Sequence, residues 1–373
     1  MATTPSAFFN GFGNEPGLAD LAINKTLPRG FVEFENFHRG RSSAETFRGT
    51  RGNDVFIVGA GDRVAFSGGY DAVVTDQTFS IGTALNVGTV QLTGSTNASI
   101  TGSSLKNNLM GNAGNNVIRG GDGVDILAGN AGNDALYGGY KNDIVLGGEG
   151  NDRVYGNNED DVVKGGAGND TVDGGSGSDK VYGDDGDDSV NGGAGNDTVR
   201  GGAGNDRVVD TSGRNKLYGD AGNDTIKAGS GNDTIDGGTD NDKLYGGSGN
   251  DSVLGGDGDD LLFGGSGDDR LLGGAGNDTI VGDAGSNVFT GGAGDDLFMI
   301  EQQTGKLDTI MDFDVAGGDV IDLSDTYAQG MGDLKIESDG RGNTIVTVSD
   351  GTKFKLVGVN PDALDATAFH FGL

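Results

Sequence analysis

The sequence is poor in the residues from which most globular enzymes build their cores and active sites. Its 373 residues include no Cys, no Trp, only four Pro and only two His. Without Cys the chain can form neither disulfide bonds nor thiol-based sites, although this does not fix its compartment. Hydrophobic residues make up 34% of the chain, which is too few for a conventional core of this length. This composition favours a repeat architecture.

Signals for insertion into membranes or for conventional export are also missing. No run of 18 apolar residues occurs, so we expect no transmembrane segment. Residues 1–10 lack a charged region followed by an apolar stretch, so we expect no conventional signal peptide. The net charge of −32 argues against nucleic acid, or an anionic membrane, as an electrostatic partner.

Common catalytic motifs do not occur in the sequence. His38 and His370 are far apart in the chain, and neither has an acidic neighbour at metal-ligand spacing. There is no H-E-x-x-H zinc-protease motif, no G-x-S-x-G nucleophile elbow and no G-x-x-x-x-G-K-[ST] phosphate loop. We therefore predict that the chain is not an enzyme.

Glycine and aspartate dominate a long repeat instead. Residues 111–299 divide without insertion or deletion into 21 units of nine residues, such as Gly-Gly-Ala-Gly-Asn-Asp-Thr-Val-Asp at 165–173. Position six is Asp in 18 units and position eight is apolar in all 21. This block holds 35 acidic residues against 12 basic ones, so much of the excess acid lies in the repeat.

The spacing of these residues predicts a stack of thin coils. Positions seven to nine suit a very short strand whose middle side chain points inward, because side chains alternate across a strand. Positions one to six suit a turn in which glycine adopts left-handed angles that other residues resist. Two units then make one coil of a parallel roll, and stacked coils bury a ladder of position-eight residues.

The position-six carboxylates should form rows along the edges of such a roll. Strands about 4.8 Å apart bring them close together, and unneutralised rows would repel each other and favour an extended chain. Ca²⁺ takes six to eight oxygens from carboxylates and backbone carbonyls at about 2.3–2.6 Å, and glycine-rich turns expose such carbonyls. The pattern therefore indicates calcium as the cofactor, with multiple ions per chain.

The repeat G-G-x-G-x-D-x-U-x resembles that of the RTX (repeats-in-toxin) calcium-binding family. The resemblance implies an all-β fold, a calcium-binding parallel β-roll (a right-handed β-solenoid of nonapeptide repeats) in which each ion sits between adjacent coils and is shared by units two apart. Carried over by position, the implied ligands are Asp125, Asp134, Asp143, Asp152, Asp161, Asp170, Asp179, Asp188, Asp197, Asp206, Asp224, Asp233, Asp242, Asp251, Asp260, Asp269, Asp278 and Asp296.

Some units depart from the pattern, and we expect weak or empty sites there. Three units carry Asn at position six, and three others lack Gly at position four. These residues are Asn116, Asn215 and Asn287, and Lys141, Glu159 and Asp240. We expect the largest defect in the unit at 210–218.

The segments before the roll differ from it in composition. Residues 1–48 hold seven of the 17 Phe residues, which either cap the open end of the roll or contact a membrane or a partner; the cap is favoured because an open stack must cover its edge. Residues 49–110 are expected to form irregular coils. They include an out-of-phase repeat-like unit at 49–57, with Asp54 at position six.

Residues 300–373 follow the roll and are expected to form a C-terminal β cap. A hairpin is predicted around Asp350. The segment resembles the cap that follows many RTX rolls, and Asp308, Asp312 and Asp319 are candidates for one further ion. The aromatic C-terminal end is similar to the secretion signals of proteins exported by type I systems, although a packed terminal strand would also explain it.

Two alternatives concern apolar residues at position nine, on the outer faces. These residues are Tyr245, Phe263, Val281 and Met299 on one face and Leu254 and Leu272 on the other. Either the C-terminal segment packs on them, or they mediate lateral association between molecules.

Taken with the resemblance, these features predict a secreted, non-enzymatic calcium-binding protein that folds on binding Ca²⁺ outside the cell. The expected partners are calcium, the type I secretion apparatus, and either a second copy or a surface polysaccharide. The first hypothesis for its role is a component of the cell surface, extracellular matrix, surface layer or adhesion machinery. The alternatives are a membrane-active or host-interaction effector of the nodulation-protein type, and a calcium module that assists polysaccharide modification.

Overall fold

The structure, a computed structural model, describes residues 36–39, 44–82 and 87–372. Of the seven Phe residues in the predicted N-terminal cap, only Phe47 has a described side chain, and it is buried. The prediction for residues 1–48 therefore lies mostly outside the described residues.

Nine short strands precede the repeats. They are β1 (Asn36–Arg39), β2 (Thr46–Arg48), β3 (Asp54–Val58), β4 (Arg63–Ala65), β5 (Asp71–Thr75), β6 (Phe79–Ser80), β7 (Val87–Leu92), β8 (Ser99–Thr101) and β9 (Asn108–Met110). β2 and β4 form a small two-stranded sheet, and the others join the two large sheets.

The repeat block contributes the next 21 strands. They are β10 (Val117–Gly121), β11 (Ile126–Ala131), β12 (Ala135–Gly139), β13 (Ile144–Glu149), β14 (Arg153–Asn158), β15 (Val162–Ala167), β16 (Thr171–Ser176), β17 (Lys180–Asp185), β18 (Ser189–Ala194), β19 (Thr198–Ala203), β20 (Arg207–Val209), β21 (Lys216–Ala221), β22 (Thr225–Lys227), β23 (Thr234–Thr239), β24 (Lys243–Ser248), β25 (Ser252–Asp257), β26 (Leu261–Ser266), β27 (Arg270–Ala275), β28 (Thr279–Val281), β29 (Val288–Ala293) and β30 (Leu297–Met299).

Six strands and three short 3₁₀ helices complete the described chain. The strands are β31 (Asp308–Ile310), β32 (Val320–Asp322), β33 (Leu334–Ser338), β34 (Thr344–Val348), β35 (Lys353–Leu356) and β36 (Phe369–His370), and the helices are Met331–Asp333, Pro361–Ala363 and Ala366–Ala368. No helix among the described residues is long and apolar enough to cross a membrane.

The strands build two long sheets that face each other. Odd-numbered roll strands belong to a sheet of 19 strands (sheet 1), and even-numbered roll strands belong to a sheet of 15 (sheet 2). Every roll strand pairs in parallel with the strand two further along, so that Val172 lies between Val154 and Val190. This is a parallel β-solenoid, and the predicted fold class is confirmed.

The core is the predicted ladder of single side chains. Every position-eight residue of the roll, from Ile118 through Val172 to Phe298, is 0% or 1% exposed. Its neighbours at positions seven and nine point outward and are mostly half-buried or exposed. The sheets therefore enclose an apolar layer only one residue wide on each strand.

The strands are longer than the three residues that the spacing predicts. A regular strand such as β16 takes in positions seven to nine and then positions one to three of the next unit, because the glycine backbone pairs with adjacent coils as well. β20, β22, β28 and β30 stop after position nine, and Asp210 and Ala228 replace the position-one glycine after the first two of these strands.

Glycine is required where adjacent coils come closest. Gly166 at position two has φ of 119°, and a Cβ atom on it would lie within 3.0 Å of the Gly148 carbonyl oxygen in the preceding coil. At position four, Lys141, Glu159 and Asp240 keep positive φ angles of 79°, 71° and 75°. These three units therefore preserve the left-handed turn despite lacking glycine.

The C-terminal segment continues the stack and then closes it. β31 and β32 extend sheets 1 and 2 in parallel, and β36 pairs with β32. The predicted hairpin is present as the antiparallel pair β34 and β35, joined by β33. Because these strands extend the sheets end to end, they do not place the segment over the outer-face residues Tyr245 and Phe263, which stay half-buried.

Candidate metal centre

All 18 position-six aspartates of the roll are buried, with exposures of at most 3%. Each follows a turn that carries the chain from one sheet to the other, so the residues form two columns, one along each edge. The first column contains Asp134, Asp152, Asp170, Asp188, Asp206, Asp224, Asp242, Asp260, Asp278 and Asp296. The second contains Asp125, Asp143, Asp161, Asp179, Asp197, Asp233, Asp251 and Asp269.

A hydrogen-bond ladder runs along each column. The backbone N–H of Asp170 donates to Oδ1 of Asp188, 18 residues later, at 2.7 Å. The same bond recurs between the position-six residues of successive coils throughout the roll, for example from Asp152 to Asp170 at 2.7 Å and from Asp278 to Asp296 at 3.0 Å. One carboxylate oxygen of each residue is therefore committed to holding adjacent coils together.

The other carboxylate oxygen has no hydrogen-bond partner within the described part of the chain. In all 18 roll aspartates Oδ2 is buried without a hydrogen bond. A buried polar atom with no partner is uncommon in folded proteins and costs free energy, especially when it carries charge. The two edges of the roll are therefore columns of negative charge that the protein itself does not compensate.

Burial also shifts the protonation equilibrium of these groups. It is the largest cause that raises the pKa of Asp134 to about 7 and the pKa of Asp161 to about 8. Neighbouring carboxylates in the column add to the increase, whereas the hydrogen bond from the preceding coil opposes it. Each site consequently favours a proton or a cation over an isolated charge.

The arrangement suits a hard divalent cation. A Cβ atom on Gly120 would lie within 3.0 Å of both Asp125 Oδ2 and the Gly138 carbonyl oxygen, so a carboxylate and a carbonyl from the next coil converge there. Among the described residues no three acidic or His side chains converge on one point. An ion in a column must therefore take most of its six to eight oxygens from backbone carbonyls, which calcium accepts.

Asparagine at position six preserves the ladder but not the charge. The N–H of Asp197 donates to Asn215 Oδ1 at 2.9 Å, and the N–H of Asp269 donates to Asn287 Oδ1 at 3.0 Å. Both Asn Nδ2 atoms are buried without a partner, where aspartate would present Oδ2. Weaker ion binding at these units remains a prediction.

The three C-terminal candidates lie at the ends of the two columns, and the one further ion expected from them remains a prediction. Asp308 Oδ1 accepts from the N–H of Asn287, at the end of the second column, and Asp319 Oδ1 accepts from the N–H of Asp296, at the end of the first. Asp312 instead accepts from the N–H groups of Gly291 and Gly292, both at 3.0 Å.

The carboxylates at the column ends are also fully hydrogen-bonded. Asp308 Oδ2 accepts from the Gln303 side chain at 2.8 Å, and Asp319 Oδ2 accepts from the N–H of Asp314 at 2.7 Å. The sequence pattern did not show these hydrogen bonds, because insertions of irregular length precede both residues.

Asp71 is a candidate ligand that the sequence analysis missed. Its Oδ1 accepts from the N–H of Asp54, 17 residues earlier, at 3.0 Å, while its buried Oδ2 has no partner. This matches the geometry of a roll aspartate outside the regular repeat. The signal was the Asp before the apolar stretch at 72–74, but the offset of 17 instead of 18 hid it.

Position five carries a second side-chain ladder that the sequence did not predict. The N–H of Asn151 donates to Asn133 Oδ1 at 3.0 Å, and the N–H of Asn169 donates to Asn151 Oδ1 at 3.0 Å. The Asn-Asp pairs of the repeat therefore supply two columns of coil-to-coil hydrogen bonds at each edge.

A histidine–carboxylate pair lies at the C-terminal end of sheet 2. His370 Nδ1 is 3.0 Å from Asp322 Oδ2, which joins β36 to β32. The two residues are 48 positions apart, so sequence spacing did not reveal the pair. The described residues show no catalytic constellation around it.

A family model for the RTX calcium-binding nonapeptide repeat matches more than half of the chain. The matched residues are 39–62, 101–136, 137–172, 173–208, 200–235, 209–244, 227–262, 236–271 and 263–298. The chain belongs to the RTX calcium-binding repeat family. The first of these matches contains Asp54, whose backbone donates to Asp71.

No curated protein sequence matches the chain significantly. Among solved structures, the chain is similar to the AlgE6R3 subunit of the Azotobacter vinelandii mannuronan C5-epimerase, at 27% identity and a TM-score of 0.27, over 37% of this chain and 77% of that one. It is also similar to the extracellular lipase LipA of Serratia marcescens, at 14% identity and a TM-score of 0.14, over 80% of this chain and 44% of that one. Both TM-scores are below 0.5, so neither structure bears on the function of this chain.

Proposed function

We propose that this RTX protein is secreted, that its roll folds on binding several Ca²⁺ ions outside the cell, and that it acts there without catalysis as a surface or matrix component. One observation carries the calcium-coupled folding: the Oδ2 atoms of 18 roll aspartates are buried with no hydrogen-bond partner. Such columns need a counter-charge before the coils can stack stably.

Two kinds of group in each turn would hold an ion: the aspartate carboxylate and the backbone carbonyls. Asp Oδ1 fixes the carboxylate against the N–H of the preceding coil, which leaves Oδ2 directed into the edge. The turn glycines bring carbonyl oxygens of adjacent coils close to it, since no side chain intervenes. Calcium, when bound, neutralises the carboxylates and links adjacent coils.

This dependence suits a protein that crosses a narrow export channel. Where Ca²⁺ is scarce, repulsion within the columns keeps the acidic repeats extended. Outside, calcium modules often have dissociation constants of about 10⁻⁴–10⁻³ M, and bound ions stabilise the folded state by mass action. We expect that deleting residues 300–373 stops appearance of the chain in the medium of a cell with a type I exporter. Unchanged export would contradict that route.

The surface role is supported by an apolar patch on the outer face of sheet 2. The rings of Tyr245 and Phe263 stack at 4.9 Å, and both remain half-buried. Met299, which is half-buried, continues the same row toward the C-terminal end, whereas Val281 between Phe263 and Met299 is 4% exposed. A flat apolar row on a rigid rod is suited to lateral contact with a second copy.

Light scattering in saturating calcium tests this role. We expect calcium-dependent multimers, which a Tyr245→Ser, Phe263→Ser double variant loses. The matched control is Tyr137→Ser with Tyr155→Ser, which removes the other stacked pair on that face. A calcium-loaded protein that stays monomeric at high concentration would contradict self-association.

A second candidate function, binding of a surface polysaccharide, is favoured by the outer face of sheet 1. Lys164 lies over the ring of Tyr182 at 4.7 Å, and Arg200 lies over the ring of Tyr218 at 4.0 Å. Such rows suit planar sugar faces that carry acidic groups. A glycan screen with a Lys164→Gln, Arg200→Gln variant, and Lys353→Gln as the control, distinguishes this function from self-association.

A further inference from the structure

The unit at 210–218 departs from the repeat at two positions that bear on ion binding. It carries Asp210 at position one, where regular units have Gly, and Asn215 at position six, where they have Asp. The sequence pattern alone predicts a defect in this unit. The side chains show that the missing carboxylate has been supplied from a different position.

Asp210 points into the roll and is 3% exposed. Its Oδ1 accepts from the N–H of Ser212 at 3.0 Å, whereas its buried Oδ2 has no N–H or O–H donor among the described residues and faces the carboxyl group of Asp197. A Cβ atom on Gly192, one coil earlier, would lie within 3.0 Å of this Oδ2. In regular units, such as that of Gly120, the equivalent position faces the Oδ2 of the unit's own position-six Asp.

Asp197 lies on the other side of the same space. It is 1% exposed, its Oδ2 also lacks a hydrogen-bond partner, and its carboxyl group interacts directly with that of Asp210. Its backbone N–H still donates to Asn215 Oδ1 at 2.9 Å, so the ladder continues through this coil. Asp210 therefore restores, from position one, the carboxylate that Asn215 removes from position six.

Two adjacent buried carboxylates with unpartnered oxygens need a shared counter-charge. Burying one unpaired carboxylate is already unfavourable, and a second one beside it adds repulsion. No Lys or Arg forms an ion pair with either residue among the described contacts. The all-oxygen surroundings suit a hard divalent cation better than a soft one.

We propose that Asp197 and Asp210 together hold one Ca²⁺ ion, at a site where position one supplies the carboxylate that the repeat normally takes from position six. The inference rests on the calcium binding of the proposed function. Under it, the second column binds ions without a gap through the unit with the most divergent sequence.

A terbium luminescence experiment on the full chain can test this part of the second column. The natural chain has no Trp, so Arg214→Trp places a single sensitiser at an exposed turn beside Asn215; this variant is the test reporter. Tb³⁺ replaces Ca²⁺ as the probe, excited at a wavelength that Trp absorbs and Tyr does not. Ser178→Trp is the matched reporter, at the same exposed turn position on the same edge, beside the regular Asp179.

We expect both reporters to show Tb³⁺ emission that excess Ca²⁺ displaces. Asp210→Gly, which restores the repeat glycine, should weaken Tb³⁺ binding in the test reporter by about tenfold or more. It should leave the signal of the matched reporter unchanged. Adding Asn215→Asp to that variant returns the carboxylate to position six and should restore the signal of the test reporter.

If the test reporter shows no Tb³⁺ emission while the matched reporter emits normally, the inference is overturned and the proposed function is left intact. Silence of both reporters would instead contradict calcium binding by the roll. Unchanged emission from the test reporter after Asp210→Gly would show that Asp210 is not a ligand, and would also overturn the inference.

Discussion

The buried aspartates inside the roll and those at its C-terminal end differ in how their carboxylate oxygens are hydrogen-bonded. Inside the roll, Asp170 and its equivalents use Oδ1 in the ladder and leave Oδ2 buried with no partner. At the C-terminal ends of the columns, Asp308 and Asp319 have both oxygens hydrogen-bonded by the protein. The difference teaches that the fold closes the C-terminal ends of its columns with its own donors and leaves the aspartates before them to an external cation.

The two regions also differ in how their buried apolar side chains are packed. Each roll unit buries one side chain at position eight, such as Leu244 or Val253. The C-terminal segment instead gathers Ile310, Phe313 and Phe354 against its antiparallel strands. Among its described residues, Asp308 and Asp319 are the only buried carboxylates. We therefore expect calcium to govern the roll and to matter much less for the C-terminal segment.

The largest effect is expected from a methyl group placed between two coils. Gly166→Ala combines an unfavourable φ with overlap of the Gly148 carbonyl. It should lower the free energy of unfolding of the calcium-loaded protein by about 4 kcal/mol, from strain and overpacking together. The control is Gly332→Ala in the C-terminal segment, where a Cβ atom would meet nothing within 4 Å. Equal stability of the two variants would show that the coils are not in close contact at position two.

A cavity in each region compares their cores directly. Leu244→Ala in the roll and Leu356→Ala in the C-terminal segment both remove fully buried side chains, and each should cost about 3 kcal/mol in calcium. Without calcium, the roll variant should behave like the unaltered protein, because the roll is already unfolded. The Leu356 variant should still lose stability. Thermal unfolding with and without chelator checks this, and a calcium-free effect of Leu244→Ala would remove the contrast.

Two substitutions of one roll aspartate distinguish the roles of its two carboxylate oxygens. Asp170→Asn keeps the acceptor for the N–H of Asp152, as Asn215 does naturally for Asp197. Asp170→Ala removes that acceptor as well and should destabilise the calcium-loaded protein by about 2 kcal/mol more than Asp170→Asn. Both variants should need more calcium for folding. Identical stabilities would mean that the ladder hydrogen bond contributes nothing.

Acidification should partly replace calcium in the roll. Burial raises the pKa of Asp134 to about 7 and that of Asp161 to about 8, from 3.8 in the unfolded chain. The folded calcium-free state therefore binds more protons than the unfolded chain near neutral pH. The contribution of these groups to the stability of the folded state is fully present below pH 3.8 and is lost as the pH rises through the folded pKa values.

Far-ultraviolet circular dichroism in chelator should therefore show more β structure at about pH 5 than at about pH 8. In calcium the trend reverses, since ions need ionised carboxylates and their affinity falls on acidification. A calcium-free chain whose β content rises with pH would contradict the inference that the protein supplies no counter-charge to the aspartate columns.

The repeat allowed the stack, its register and its core to be predicted before the structure. A fixed phase places Val172 on Val154 and Val190, and the alternation of side chains makes position eight the inner one. The length of the strands was not predictable in the same way. It depends on backbone pairing by glycines at positions one to three, which hydrophobic patterns do not record.

The candidate site was predictable in composition and only partly in geometry. Spacing puts the aspartates in columns. It does not show that Oδ1 accepts a hydrogen bond from a backbone N–H while Oδ2 has no hydrogen-bond partner. Asp71 was missed because its coil is one residue short. The different edges reached by Asp308 and Asp319 were not predictable, because loops of irregular length precede both residues.

Calcium titration of the chelated protein, followed by far-ultraviolet circular dichroism, tests the dependence of the roll on ions most directly. We expect little β structure without calcium at about pH 8, and a cooperative gain as Ca²⁺ rises through about 10⁻⁴–10⁻³ M. Magnesium should not replace calcium at these concentrations, because it requires a rigid octahedral shell. If chelation leaves the spectrum and the melting temperature unchanged, the coils are held together by something other than bound ions.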